Sequence, residues 1–338
     1  MCKLWIVTGF FLIGTTFAGA NIVFQSDRDG KSDIYVMNDD GSNIRRLTDT
    51  RLAKGLPAWS PDGRQIAFDM DLNSENHLRP QQIDIFIINA DGTGERNLTQ
   101  HPALDTSKCW SPDGTHLVFS STRDGNWELH RMEIATREVR QLTRLGFASA
   151  PDWSPDGRYI AFEHEGSEGR HIYIMNADGK NIRPLLRRLR KGRFGTSIMV
   201  SSFAKWSPDG KYILYSEQEF LGNKWAADSI LIVNVRTRYL KVLDTPKGWK
   251  INEVCWADDG DAVLFAGVPK GSGNIYKIYK YRLSTGEITN LTPHPSDNWG
   301  MDWTPHNSLS VSASEKIATQ WARLKAGFQD VLIPAISD

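Results

Sequence analysis

The stretch WSPDGRYIAF, Trp153 to Phe162, decides the fold because it recurs. Near-copies stand at WSPDGRQIAF from Trp59, WSPDGTHLVF from Trp110 and WSPDGKYILY from Trp206, and a blurred WADDGDAVLF runs from Trp256. A last trace, WTPHNS, begins at Trp303. A rare residue, a carboxylate and a glycine recurring together are either a catalytic signature or building material. Catalytic acids seldom come as equivalent copies. Proline presets φ at the second turn position and glycine relieves the exit, so both have plain conformational reasons to recur. Asp62, Asp113, Asp156, Asp209 and Asp259 are therefore read as turn residues.

The tryptophans lie 43 to 53 residues apart, the length of a propeller blade of four strands. In the unit around Trp153, Ala150 to Trp153 reads as a first strand and Ser154-Pro155-Asp156-Gly157 as a turn. Tyr159 to His164 alternates as a second strand, and His171 to Asn176 is a third. Ala177-Asp178-Gly179 is an Asp-Gly hairpin turn, and Asn181 to Leu186 is the fourth strand. The chain opens in mid-unit, with strands two to four in Asn21 to Thr48 and no WSPDG before them. The missing first strand appears at the other end, Trp299 to Thr304. Five whole units and one split unit predict an all-β, six-bladed β-propeller of four-stranded antiparallel blades, in which the split blade leaves no open sheet edge.

The WSPDG, SDRDG and DIYVMNxDG segments resemble the repeats of the TolB-like six-bladed β-propeller family, and more distantly the propellers of prolyl-oligopeptidase-type peptidases. The resemblance covers about Asn21 to Thr304 and implies a WD40-like repeat scaffold that binds proteins at the cell envelope. Two departures are expected. The propeller starts without the α/β domain that precedes it in TolB, and no G-x-S-x-G element of a peptidase domain is present.

Residues 1–20 read as a signal peptide: Lys3, an apolar run from Leu4 to Phe17, and Ala18-Gly19-Ala20 as a cleavage site. The apolar run is short for a membrane anchor, so no membrane span is expected and the chain is read as exported, periplasmic or secreted. Basic and acidic residues balance at 40 each, which gives no reason to expect nucleic acid. Cys109 and Cys255 fall three units apart in a six-unit ring, too far for a disulfide, and are expected to be free and buried. The expected domains are 1–20 leader, 21–304 propeller and 305–338 tail, where Ser312 and Glu315 form a capping-box pair. In that tail Ile317, Trp321, Leu324 and Phe328 recur at helical spacing.

No catalytic, cofactor or metal site is assigned. Asp27-Arg28-Asp29-Gly30 has a calcium-loop flavour but reads as a repeat hairpin, and His101 and His294 occupy matching inter-blade loops two blades apart. Strand order puts the tight turns on one face of the disc and the insertions on the other, including Met70–Gln82, Leu185–Ala204, Glu217–Ala227 and Gly267–Asn274. That loop face gathers Phe147, Arg187, Arg190, Arg193, Phe194, Trp225, Trp249 and Trp299 as candidate partner-binding residues. Trp59, Trp110, Trp153, Trp206, Trp256 and Trp303 are structural repeat residues. The expected function is a monomeric, non-catalytic module that binds a protein or peptide through its loop face or channel mouth. The alternative is a channel-site enzyme such as a propeller-fold sugar lyase or hydrolase. The residues before the tryptophans, Ala58, Cys109, Asp152, Lys205, Cys255 and Asp302, offer little for such chemistry.

Overall fold

A computed structural model describes residues 21–305, apart from 77, 167–168, 187–197 and 223. The expected leader and C-terminal helix lie outside the described residues, as do Arg187, Arg190, Arg193 and Phe194.

Six four-stranded antiparallel sheets follow one another along the chain. Blade 1 holds β1 (Ile22–Ser26), β2 (Asp33–Met37) and β3 (Arg45–Arg46). Blade 2 holds β4 (Lys54–Trp59), β5 (Gln65–Asp71), β6 (Ile83–Asn89) and β7 (Arg96–Asn97), and blade 3 holds β8 (Asp105–Trp110), β9 (His116–Ser121), β10 (Glu128–Glu133) and β11 (Val139–Gln141). Blade 4 comprises β12 (Ala148–Trp153), β13 (Tyr159–Gly166), β14 (Gly169–Asn176) and β15 (Arg183–Pro184). Blade 5 comprises β16 (Ile198–Trp206), β17 (Tyr212–Leu221), β18 (Lys224–Asn234) and β19 (Leu240–Val242). Blade 6 comprises β20 (Lys250–Ala257), β21 (Ala262–Val268), β22 (Lys277–Arg282) and β23 (Ile288–Asn290). The last strand, β24 (Asn298–Trp303), lies beside β1, with Ile22 opposite Trp303 and Ser26 opposite Asn298.

The first strand of each blade packs against its counterpart in the next, from β4 through β8, β12, β16 and β20 to β24 and back to β4. These six strands surround a central channel.

Each repeat tryptophan packs on the blade before its own. Trp110 lies against Ala58, Ala67 and Ile87 of blade 2, Trp206 against Ile172 and Ile174 of blade 4, and Trp256 against Leu214 and Ile230 of blade 5. Removing an indole of this size from water supplies on the order of 5 kcal/mol per joint. The serine and aspartate of the repeat close the turn that follows. Ser154 donates to Asp156 (2.6 Å), whose carboxylate also accepts from the Arg158 amide (3.0 Å), and Ser154 Oγ accepts from the Tyr159 amide (2.9 Å). The same three bonds recur at Ser60, Ser111 and Ser207. At Asp113 these donors hold the carboxyl down at about 2, the mark of a turn brace and not of an acid poised for proton transfer. Where ADDG replaces SPDG, Asp258–Gly260 form a short 3-10 turn with Asp258 and Asp259 at positive φ, because neither the proline nor the serine hydroxyl is there to set the tighter form.

Cys109 and Cys255 are free, buried thiols in blades 3 and 6. Burial pushes both well above the ordinary thiol range, so they behave as small apolar groups. His101 and His294 each brace their own loop, accepting from the amides of Ala103 (3.1 Å) and Ser296 (3.2 Å).

Candidate functional site at the channel mouths

Every innermost strand is interrupted three residues before its tryptophan. The register slips between Gly55 and Ala58, Thr106 and Cys109, Ser149 and Asp152, and Ser202 and Lys205. At these bulges Leu56, Ser107, Ala150, Phe203 and Gly300 take positive φ, of 47° to 57°. A bulge leaves an amide without its ladder partner. That amide is met by a polar side chain from the second strand of the preceding blade. Gln25 Oε1 accepts from Leu56 (3.1 Å), Asp69 from Ser107 (3.3 Å), Ser120 from Ala150 (3.2 Å) and Glu163 from Phe203 (2.9 Å). In blade 6 the equivalent residue is Ala266, which cannot accept, and the Gly300 amide turns instead to the carboxylate of Glu253.

The channel has three parts. At the loop end is a mouth of about 530 Å³, bordered by Gln25, Lys54, Asp71, Arg170, Glu253 and Trp299. A narrow waist of about 60 Å³ follows, where Lys108, Lys205 and Glu253 approach the axis. The turn end opens into a funnel of about 580 Å³, walled by the six repeat tryptophans and by Pro61, Pro112, Pro155, Pro208 and Pro305. Its charged lining is Lys108, Asp152, Lys205, Asp259 and Asp302.

The charged groups along this axis are largely engaged with one another. Lys108 Nζ meets Asp69 at 2.5 Å, Lys205 meets Asp152 at 3.3 Å, and Arg170 meets Glu163 at 3.6 Å. Fully buried Lys54 meets Asp33 at 3.2 Å and also donates to Thr50 and to the Leu52 carbonyl (3.1 Å). Asp302 and Asp152 each accept from the backbone of the next blade's tryptophan, at Trp59 (2.8 Å) and Trp206 (2.7 Å). Burial pulls the Lys205 ammonium down, yet Asp152 and Asp302 outweigh it and keep the lysine charged. Glu253 is different. Burial raises its carboxyl to about 7, against the pull of the Gly300 amide and of Lys205 and Lys108. Among the described residues no cluster of three or more His, Cys, Asp or Glu could hold a metal ion.

Of the described partner-binding candidates, Trp299 borders the loop-side mouth itself. Phe147 stands beneath Arg170, whose guanidinium lies 4.6 Å from its ring, so it shapes the mouth through that arginine. Trp225 sits near the tip of the β17–β18 hairpin and donates to Asp228 (2.5 Å). Trp249 packs on Phe265 and Tyr279 at the joint of blades 5 and 6. Neither of these two borders the mouth. The polar residues that line it, Gln25, Asp69, Glu163 and Glu253, escaped the sequence reading. The available signal was the position just after the second-strand aromatic, Phe24-Gln25, Phe68-Asp69, Phe119-Ser120, Phe162-Glu163 and Tyr215-Ser216, which is polar in five successive units.

Six radial antiparallel sheets around a channel define a six-bladed β-propeller. The family model described as the TolB beta propeller domain matches residues 50–186. A protein TolB homolog of Chlorobium luteolum is 29% identical over an alignment of 157 residues, with coverage of 36% of this chain and 36% of the relative's own length, less than two thirds of it. In three dimensions the chain is similar to TolB from Acinetobacter baumannii, with a TM-score of 0.69, 18% identity, and coverage of 86% of this chain and 67% of that one. It is also similar in fold to an oligogalacturonate lyase from Vibrio parahaemolyticus, with a TM-score of 0.54, 18% identity, and coverage of 81% and 74%. Within the six-bladed class, this chain carries a TolB-like β-propeller.

Proposed function

We propose that the protein is an exported, non-catalytic scaffold that binds a protein or peptide at the loop-side mouth of its channel. The observation that carries this reading is the state of the charges there. Asp69 and Glu163 are engaged with bulge amides and with Lys108 and Arg170, which suits a rigid, preformed rim better than a proton-transfer site. Trp299 and Arg170, both bordering the mouth, are the residue types that anchor interfaces. The apolar leader at 4–17 supports export, and among the described residues no helix is long and apolar enough to cross a membrane. The likeness to TolB adds envelope proteins as the class of partner.

The test is capture from envelope extract of the producing cells, using wild type and a Trp299→Ala/Arg170→Glu variant. A protein retained by wild type and lost from an equally stable variant is the expected result. Glu253 favours one second reading, because a channel carboxyl titrating near 7 suits general acid or base catalysis. Turnover of oligogalacturonate by wild type and not by Glu253→Gln, with no protein captured, would replace the binding reading with that one.

A further inference from the structure

The loop-side mouth narrows onto a carboxylate that nothing around it neutralises. Four cations border the mouth and the waist, and each is already held. Lys54 meets Asp33, Lys108 meets Asp69, Lys205 meets Asp152, and Arg170 meets both Glu163 and Glu165. Glu253 has no ion-pair partner among the described residues. The Gly300 amide donates to it, and Lys205 and Lys108 act on it only from a distance. Asp71, at the rim, likewise takes a single amide, that of Asn73 (3.0 Å). A buried carboxylate left without a counter-charge is costly, and a cation brought to it recovers that cost.

Position matters as much as charge. Glu253 stands at the bulge position of blade 6, where the other blades carry Leu56, Ser107, Ala150, Phe203 and Gly300, none of which ionises. It is only 7% exposed, yet it borders both the mouth and the waist. The mouth, about 530 Å³, is the size of an ordinary ligand pocket. The waist, about 60 Å³, has room for a few waters and stops a peptide backbone. What reaches Glu253 from the mouth is therefore one side chain. Half-buried Leu56, Phe203 and Trp299 border the same mouth and offer apolar surface to an aliphatic stem.

We propose that the partner's anchor at this mouth is a lysine or arginine side chain, its stem against Leu56, Phe203 and Trp299 and its charged head on Glu253. This rests on the binding reading above and gives it a ligand class, a basic segment of a protein or peptide. The test uses the full chain and two small probes, n-butylammonium and n-butylguanidinium, followed by saturation-transfer NMR. Both should bind at millimolar concentration, and the neutral n-butyramide should not. Glu253→Gln keeps an acceptor for the Gly300 amide and should weaken binding of the cations at least tenfold. Because the Glu253 carboxyl titrates at about 7, cation affinity of the wild type should rise about tenfold from pH 6 to pH 8. If the variant does not fold, this profile decides alone. No transfer to either cation at about 10 mM, equal binding of n-butyramide, or a flat pH profile would overturn the inference. Failure of the underlying reading has a different signature. An envelope protein captured equally by wild type and Glu253→Gln removes the basic anchor and keeps partner binding, whereas capture by neither removes both.

Discussion

The two ends of the channel are built on opposite principles. The turn end repeats itself: tryptophan, serine, proline and aspartate return in the same contacts in blades 2 to 5, with only blade 6 and the WTPHNS stretch of blade 1 departing. The loop end does not. Positions equivalent around the ring carry Gln25, Asp69, Ser120, Glu163, Ser216 and Ala266, and the bulge position below them carries Leu56, Ser107, Ala150, Phe203, Glu253 and Gly300. Repetition marks what every joint needs, and divergence at a fixed backbone position marks where one molecule is made different from its relatives.

The sharpest break of this comparison comes from the strand that serves both ends. A chain stopped after Thr304 should unfold cooperatively in urea, whereas one stopped before Asn298 leaves the inner edge of β1 bare and should show no cooperative transition. A folded product of the shorter chain would mean that β24 is dispensable to the ring. Next in size is the buried link between blades 1 and 2. Lys54→Met leaves Asp33 with Arg46 and Thr48 but removes its buried ammonium, and should cost about 3–5 kcal/mol by urea titration.

The third test is pH. Glu253 titrates at about 7 in the folded chain against an ordinary 4.5. Between those values the folded form holds a proton that the unfolded form has lost, so stability falls as pH rises from about 4.5 to about 7. The slope from this one group is at most ~1.4 kcal/mol per pH unit. Asp228, raised to about 6 chiefly by burial, acts with the same sign over a narrower window. Glu253→Gln should flatten the decline, and thermal melts of both proteins from pH 5 to 8 measure it. The smallest expected effect separates two indoles within the turn end. Trp110→Phe deletes a donor that has an acceptor, Trp206→Phe one that has none, so the first should cost about 1 kcal/mol more than the second. Equal costs would mean the two indoles are equivalent in solution.

Much of the turn end was legible in the sequence, because tryptophan is rare and because Pro-Asp-Gly leaves few backbone choices. Strand bounds followed from those fixed points: Tyr159 to His164 became Tyr159–Gly166, and Ala150 to Trp153 became Ala148–Trp153. The loop end was not legible to the same degree. A polar residue inside a strand normally reads as facing water, yet Glu163 and Asp69 are buried and cap amides of a neighbouring chain segment some 40 residues away. The need for those caps arises only from the bulges, and no local motif announces a bulge at Leu56 or Phe203. Aromatic residues picked out by exposure on a loop face had the converse problem. Trp249 is used up by packing on Phe265 and Tyr279, a contact across the strands of its own blade that exposure on a loop does not announce.

The pairing of β24 with β1 also sets an order of events. Ile22 and Trp303 are neighbours in one sheet but sit near opposite ends of the described chain, the costliest loop to close in the molecule. Five blades can form from contiguous sequence while the sixth waits for residues 298–303 to be made. A chain still being synthesised therefore holds an unfinished ring with one bare strand edge. The last strand made is also the one that pairs with the first.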